Sequence, residues 1–288
     1  MSDIIARNVS ELLQALNAAR SFLIFPGDDA RKQERALGSN ADVLTYDLED
    51  GVAAAQKAVA REGAAAFAAA AGAGLRLIRI NDPLSAAGEA DLAVVAAIPN
   101  VGIVVPKASP AGLDRAAEIG KPLLALIEEA KGVRDAYAIA EHDAVFGLAI
   151  GVADMSAALG LSPYADGLQL LFVRSQLVVA SAAAGIRAPV DGPCLDVRDH
   201  DALERETSAA RALGLRGKFC LHPDQVAGVH AALAPTQKEF ERAQRIVAAW
   251  SEIAAAGGAV GAIDGLLVDR PVALRAQAVI DAYERNDA

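Results

Sequence analysis

Glu128 and Asp154 each close a short, unbroken apolar run, PLLALIEEAKG for the first and AVFGLAIGVADM for the second. Runs of Leu, Ile, Val and Ala of this length read as strands buried on both faces of a parallel sheet. Neighbouring strands lie about 4.8 Å apart, so carboxylates at the carboxyl ends of two adjacent strands would lie side by side. Two carboxylates with no His or Cys nearby suit a hard divalent ion such as Mg²⁺. The same two residues could instead cap the helices that follow their strands. Glu129 adjoins Glu128, but alternation along a strand sends the two side chains to opposite sides, so only one can face a metal.

The elements that must hold these residues repeat along the chain. Candidate strands cover 21–27, 43–48, 75–80, 101–106, 123–127, 145–150, 187–190 and 218–222. Ala-rich amphipathic stretches at 53–71, 89–97, 110–119, 133–141, 168–184 and 202–213 lie between them. Strand and helix alternating about eight times predicts an α/β fold, a closed (β/α)8 TIM barrel. A doubly wound open sheet is the alternative. It calls for a Gly-rich turn after the first strand, and Phe25-Pro26-Gly27-Asp28 is not one. The barrel places active residues at the carboxyl ends of strands, where Asp28, Asp47, Glu49, Asp50, Arg79, Asn81, Lys107, Glu128, Asp154, Asp191 and His222 all fall. After the eighth strand, Thr236 and Glu239 form a capping-box pattern that starts a helix, and a second helix is expected over 272–285. The predicted organisation is a catalytic barrel over 1–230 and a C-terminal helical extension over 231–288.

Composition narrows the function. Hydrophobic residues make up 53% of the 288, enough for a large core, while aromatics at 4% point to close, Ala-mediated helix packing. The net charge of −10 argues against nucleic acid as a partner and disfavours anionic membrane surfaces. No apolar run is long enough to span a membrane, and the N-terminus has no secretory signal pattern, so a cytoplasmic location is expected. Cys194 and Cys220 form no CxxC and have no His at zinc spacing, which predicts buried, reduced thiols.

Several motifs occur in order: FPGD at 25–28, YDLEDGV at 46–52, RIN at 79–81, VVPK at 104–107, LALIEEAKG at 124–132, GVADMSAALG at 151–160, GKFCLHPDQ at 217–225 and GLLVDRPV at 265–272. Together they resemble the citrate lyase β-subunit-like proteins of the HpcH/HpaI aldolase superfamily. The resemblance implies Mg²⁺ held by Glu128 and Asp154, the pair already reached from spacing. It implies that Arg79 holds the carboxylate of a 2-oxo or 2-hydroxy acid, with Glu49 and Lys57 beside it at the substrate. It implies that Asp269, in the extension, is a catalytic acid or base reaching the barrel of a neighbouring protomer in a homotrimer or hexamer. Arg79 could also be an ion-pair partner of Asp47 or Glu49. Arg31, Lys32 and Arg35 could meet coenzyme A phosphates or form a solvated helix face.

The expected function is a Mg²⁺-dependent carbon–carbon lyase that cleaves a β-hydroxyacyl-CoA of the citramalyl, malyl or citryl type to acetyl-CoA and a 2-oxo acid. The alternatives are an aldolase acting on free 2-oxo acids and a non-catalytic oxo-acid-binding relative. The chain departs from the pattern at DDARKQ (28–33), Ala153 and Ala158. The first bears on the acyl carrier and the other two on the surroundings of the metal.

Overall fold

The computed structural model describes residues 2–161 and 168–287. The chain divides into two compact units, 1–230 and 231–288.

The first unit is a closed parallel barrel in which each strand pairs with the next and the eighth returns to the first. Its strands are β1 (Ser21–Pro26), β2 (Val43–Asp47), β3 (Leu75–Arg79), β4 (Gly102–Val105), β5 (Leu123–Ile127), β6 (Val145–Ile150), β7 (Val190–Asp191) and β8 (Gly217–Cys220). The helices are α1 (Ser2–Ala18), α2 (Ala30–Leu37), α3 (Lys57–Ala69), α4 (Ala86–Val95), α5 (Pro110–Ala117), α6 (Ala130–Arg134), α7 (Ala136–Ala140), α8 (Val152–Leu159), α9 (Leu171–Ala184) and α10 (His200–Leu213). Helix α11 (Asp224–Leu233) follows β8. This is the (β/α)8 barrel that the alternating pattern predicts.

Local chemistry sets the helix starts. Asp29, Ser85, Ser109 and Asp199 each accept a backbone N–H as N-caps, and Pro110 occupies the first turn behind Ser109. The stretch expected as one helix over 133–141 is two short ones, α6 and α7, which meet at Asp135. Helix α1 was not legible as a core element, yet Leu12 and Leu16 join the barrel core.

That core holds Phe22, Val43, Leu77, Val104, Leu124, Leu126, Phe146, Ala149, Val190 and Phe219, which face the barrel axis. The two-residue period of a strand carries each inward series up to its end. Val43 leads to Asp47, Leu77 to Arg79, and Leu126 to Glu128. The same period turns Asp191 and Lys218 outward, since their neighbours Val190 and Phe219 face in.

The second unit pairs α12 (Gln237–Ala255) with α13 (Arg270–Asp287) and carries a hairpin of β9 (Val260–Ile263) and β10 (Leu266–Asp269). Thr236 and Glu239 complete both halves of the capping box. The hairpin occupies residues 260–269, between the two helices that the sequence predicts for the extension. Its face bearing Val268, Ile263 and Leu266 packs with Ala243, Ile246, Ala276 and Ile280. Both cysteines are free and buried, and burial pushes the Cys220 thiol up to about 12. Among the described residues no helix is long and apolar enough to cross a membrane.

Candidate active site

The carboxyl ends of β2, β3, β4 and β5 gather Asp47, Glu49, Arg79, Lys107 and Glu128. Asp47 anchors the group. Arg79 donates from Nε to Asp47 Oδ1 and from Nη2 to Oδ2, each at 2.7 Å, a bidentate pair. Asp47 also accepts the backbone N–H of Glu49 and of Gly51, each at 2.9 Å. Gly51 is required there, because a Cβ would collide with Asp47 Oδ2. Burial works against the Arg79 charge, but Asp47, Glu49 and Glu128 more than offset it and keep the guanidinium protonated. The Nε/Nη2 edge of Arg79 is thus taken by Asp47, and its Nη1 lies 3.1 Å from Glu49 Oε2.

Glu49 is 3% exposed and lies between two cations. Lys107 Nζ donates to its Oε1 at 2.7 Å. Arg79 Nη1 lies 3.1 Å from its Oε2, an ion-pair contact without hydrogen-bond alignment. Lys57 lies behind Glu49 rather than in the opening. Its ammonium donates to Leu48 O and Glu49 O at 2.9 Å and to Asn81 Oδ1 at 2.7 Å, which uses all three hydrogens. Asn81 is tied in turn to the fully buried Asp91, whose other oxygen takes Arg61 Nε. This buried chain fixes the loop that carries Glu49.

Glu128 is 2% exposed, whereas Glu129 points to solvent. Its Oε1 accepts the Lys107 backbone N–H at 2.8 Å, and its Oε2 has no protein donor among the described residues. Burial raises its pKa to about 7, with the facing charges of Glu49 and Asp154 adding to the effect against the opposing pull of Lys107. Asp154 lies in the first turn of α8, one helical turn past Gly151, and is exposed. Gly151 leaves the space that the Glu128 carboxylate fills: a Cβ there would fall 2.5 Å from Glu128 Cβ and 2.6 Å from Oε2.

These residues fit a Mg²⁺ ion. A buried carboxyl with one free oxygen, its charge disfavoured first by burial and then by the facing carboxylates, is relieved by a cation. Among the described residues no group of three or more His, Cys, Asp or Glu forms a metal cage. Mg²⁺ needs none, since it commonly takes one or two carboxylates and keeps its remaining positions for water and substrate oxygens.

Not every charged residue at a strand end belongs to the opening. Asp191 is fully buried and points to the helical layer, where Arg174 Nε and Lys218 Nζ each reach it at 2.8 Å. His222 meets Arg35 and Asp224. Sequence reading missed both pairings because strand-end position does not encode which way a side chain turns. A cleft of about 350 Å³ adjoins β1, lined by Pro26, Asp28, Asp29, Ala30, Arg31, Lys32 and Gly51. The Arg31 side chain lines it and has no side-chain partner among the described residues, whereas Lys32 lies 3.6 Å from Asp29. Asp269 lies at the end of β10 in the second unit, where its Oδ1 accepts the Val272 N–H at 3.0 Å.

Residues 20–223 match the family model described as HpcH/HpaI aldolase/citrate lyase. The chain belongs to that family. It is 32% identical over 284 residues to the citrate lyase subunit beta of Leuconostoc mesenteroides subsp. cremoris, covering 93% of this chain and 94% of that one. It is 33% identical over 255 residues to a (3S)-malyl-CoA thioesterase of Cereibacter sphaeroides, covering 87% and 89%. Its fold superposes on CitE from Mycobacterium tuberculosis in complex with magnesium, acetoacetate and coenzyme A. That match has a TM-score of 0.81 at 31% identity, with 93% of this chain and 99% of that chain covered. The HpcH/HpaI aldolase and citrate lyase assignment thus makes this chain a member of a family of lyases.

Proposed function

We propose that this enzyme is a Mg²⁺-dependent lyase acting on a β-hydroxyacyl-CoA of the citramalyl, malyl or citryl type, giving acetyl-CoA and a 2-oxo acid. The observation that carries the proposal is the buried Glu128 carboxylate, with one oxygen held by Lys107 and the other free, beside a bidentately fixed Arg79. Glu128 and Asp154 would hold the ion, which when bound supplies a Lewis acid for the substrate's hydroxyl and carboxylate oxygens.

The chain's own groups account for the rest. Arg79 takes the carboxylate of the acid portion, and Asp47 keeps the guanidinium from rotating. Glu49, held between Arg79 and Lys107, fixes the polarity of that wall. Lys57 supports Glu49 through backbone carbonyls. In cleavage the substrate hydroxyl gives its proton to a solvent water and becomes the carbonyl of the 2-oxo acid. The electron pair of the broken carbon–carbon bond passes to the thioester as an enolate, which gains a proton at carbon. Asp269 of a neighbouring copy is the proposed donor, and the remover of that proton in condensation. The hairpin face that bears Asp269 also bears Val260 and Leu267, each more than half exposed, and a partner protomer in a trimer or hexamer would bury it. Arg31, in the cleft by β1, is the proposed partner of a coenzyme A phosphate.

Alanine at Glu128 or Asp154 is expected to abolish Mg²⁺-dependent release of 2-oxo acid; full activity in either variant overturns the assignment. A second reading, hydrolysis of the thioester, is favoured by the likeness to the malyl-CoA thioesterase. The products separate the two, since hydrolysis releases the free hydroxy acid with coenzyme A and no 2-oxo acid.

A further inference from the structure

Lys107 follows β4 with a φ of +47°, a left-handed conformation that residues other than glycine rarely adopt. There its backbone N–H donates to Glu128 Oε1 and its ammonium to Glu49 Oε1, with the exposed Asp50 Oδ2 3.8 Å from the same ammonium. A glycine would adopt the same backbone more easily and keep the first contact. What a glycine would lose is the ammonium, so the ammonium accounts for a strained residue at this position.

We propose that Lys107 sorts the carboxylates of the opening: it leaves Glu128 one free oxygen for a divalent cation and keeps Glu49 engaged with Arg79 rather than with that cation. This rests on the metal reading above and concerns how the same site is regulated in its ligand count. The second oxygen of Glu49 is the loosely held one, with only Arg79 Nη1 at 3.1 Å and no aligned hydrogen bond. Without the Lys107 ammonium, no other donor among the described residues holds the first oxygen either, and the Glu49 charge acts against that of Glu128. A cation bound at Glu128 would then draw Glu49 in as an extra oxygen ligand. That strengthens cation binding and removes a position that a substrate oxygen needs. Lys107 is therefore a positioning residue.

The test is a double-mutant cycle of Lys107→Gly and Glu49→Gln on the full chain. It is read by calorimetric titration with Mg²⁺, by pyruvate binding in the presence of Mg²⁺, and by thermal melting. Lys107→Gly is expected to melt no lower than the unaltered protein, to bind Mg²⁺ at least threefold tighter and to bind pyruvate at least tenfold more weakly. Glu49→Gln is expected to weaken Mg²⁺ binding far more in the Lys107→Gly background than alone, because only there would Glu49 be a ligand. Lys107→Arg is expected to stay close to the unaltered protein in all three readouts. Mg²⁺ affinity that is unchanged or weaker in Lys107→Gly overturns the proposal, as does an equal effect of Glu49→Gln in both backgrounds. A markedly lowered melting temperature in both Lys107→Gly and Lys107→Asn assigns Lys107 a structural role and also overturns it. Asparagine, which tolerates the left-handed conformation, replaces glycine in the cycle should Lys107→Gly not fold. Absence of Mg²⁺ binding by the unaltered protein overturns the metal reading and this proposal together. Mg²⁺ and pyruvate binding without turnover of any thioester overturns the lyase reading alone.

Discussion

Gly151 and Glu128 occupy one space between them: the Glu128 side chain fills the volume in which a Cβ on residue 151 would lie, 2.5 Å from Glu128 Cβ. The opening of α8 therefore shapes the carboxylate at the end of β5, although the two belong to different strand–helix units. Gly151→Ala is expected to push the Glu128 carboxylate out of place. Overpacking of this kind costs about 1–3 kcal/mol of stability. Thermal melting should show that loss, and calorimetry should show Mg²⁺ affinity reduced by tenfold or more. A variant that keeps unaltered Mg²⁺ affinity would refute the fit between the two residues.

Arg79 and Asp47 make a second such pair, with two parallel hydrogen bonds. Arg79→Lys keeps the charge but loses the fork, so KM for the oxo-acid portion should rise at least tenfold with little change in folding stability. Asp47→Asn should do more damage, because it leaves a largely buried guanidinium half-compensated, at a cost on the order of 3 kcal/mol. Steady-state kinetics and urea denaturation check the two expectations separately.

The raised pKa of Glu128 gives a pH dependence with a definite sign. In the unfolded chain the carboxyl ionises near 4.5, and in the folded, metal-free protein near 7. Below about pH 4.5 both states are protonated and the group contributes nothing. As pH rises towards 7 the unfolded state loses its proton first, and above 7 the folded state carries a full penalty of about 3 kcal/mol. Glu128→Gln should therefore melt higher than the unaltered protein at pH 8 in chelator and close to it at pH 4.5. Mg²⁺ affinity should climb with pH up to about 7 and level off, with protons released on binding below that point. A flat Mg²⁺ affinity between pH 5.5 and 7.5 would contradict this account of Glu128.

Much of the fold was legible in the sequence for a specific reason. Strands such as β5 and β6 are buried on both faces and read as continuous apolar runs; the carboxyl end of β5 placed Glu128, whereas Asp154, expected at the end of β6, lies in the first turn of α8. The hairpin of β9 and β10 was not legible, because its Gly-rich, half-exposed strands carry no clear alternation. Asp191 looked like part of the opening because sequence position marks a strand's end without marking its inward or outward phase. One residue earlier, Val190 faces the core, and that phase sends Asp191 to Arg174 and Lys218. The partners of Lys107 were hidden for another reason. Its side-chain contact depends on a left-handed backbone at a non-glycine residue, which no composition rule signals.

Lys57 carries a prediction of its own. Its three donors go to Leu48 O, Glu49 O and Asn81 Oδ1; Leu48 O keeps Asn81 Nδ2 and Glu49 O keeps the Val52 N–H, so Lys57→Met would leave Asn81 Oδ1 unmet, at a cost of about 1–3 kcal/mol. Since the ammonium supports the Glu49 loop from behind, kcat should fall more than KM rises. A rise in KM alone, with kcat and stability intact, would show that Lys57 contacts substrate directly.

The most direct test of the central claim is to incubate the purified protein with citramalyl-, malyl- and citryl-CoA, with and without Mg²⁺, and to measure the 2-oxo acid released. The lyase account predicts Mg²⁺-dependent release from at least one thioester, together with acetyl-CoA, and loss of that release in Glu128→Gln. No release from any of them, despite measurable binding of Mg²⁺ and pyruvate, would contradict it.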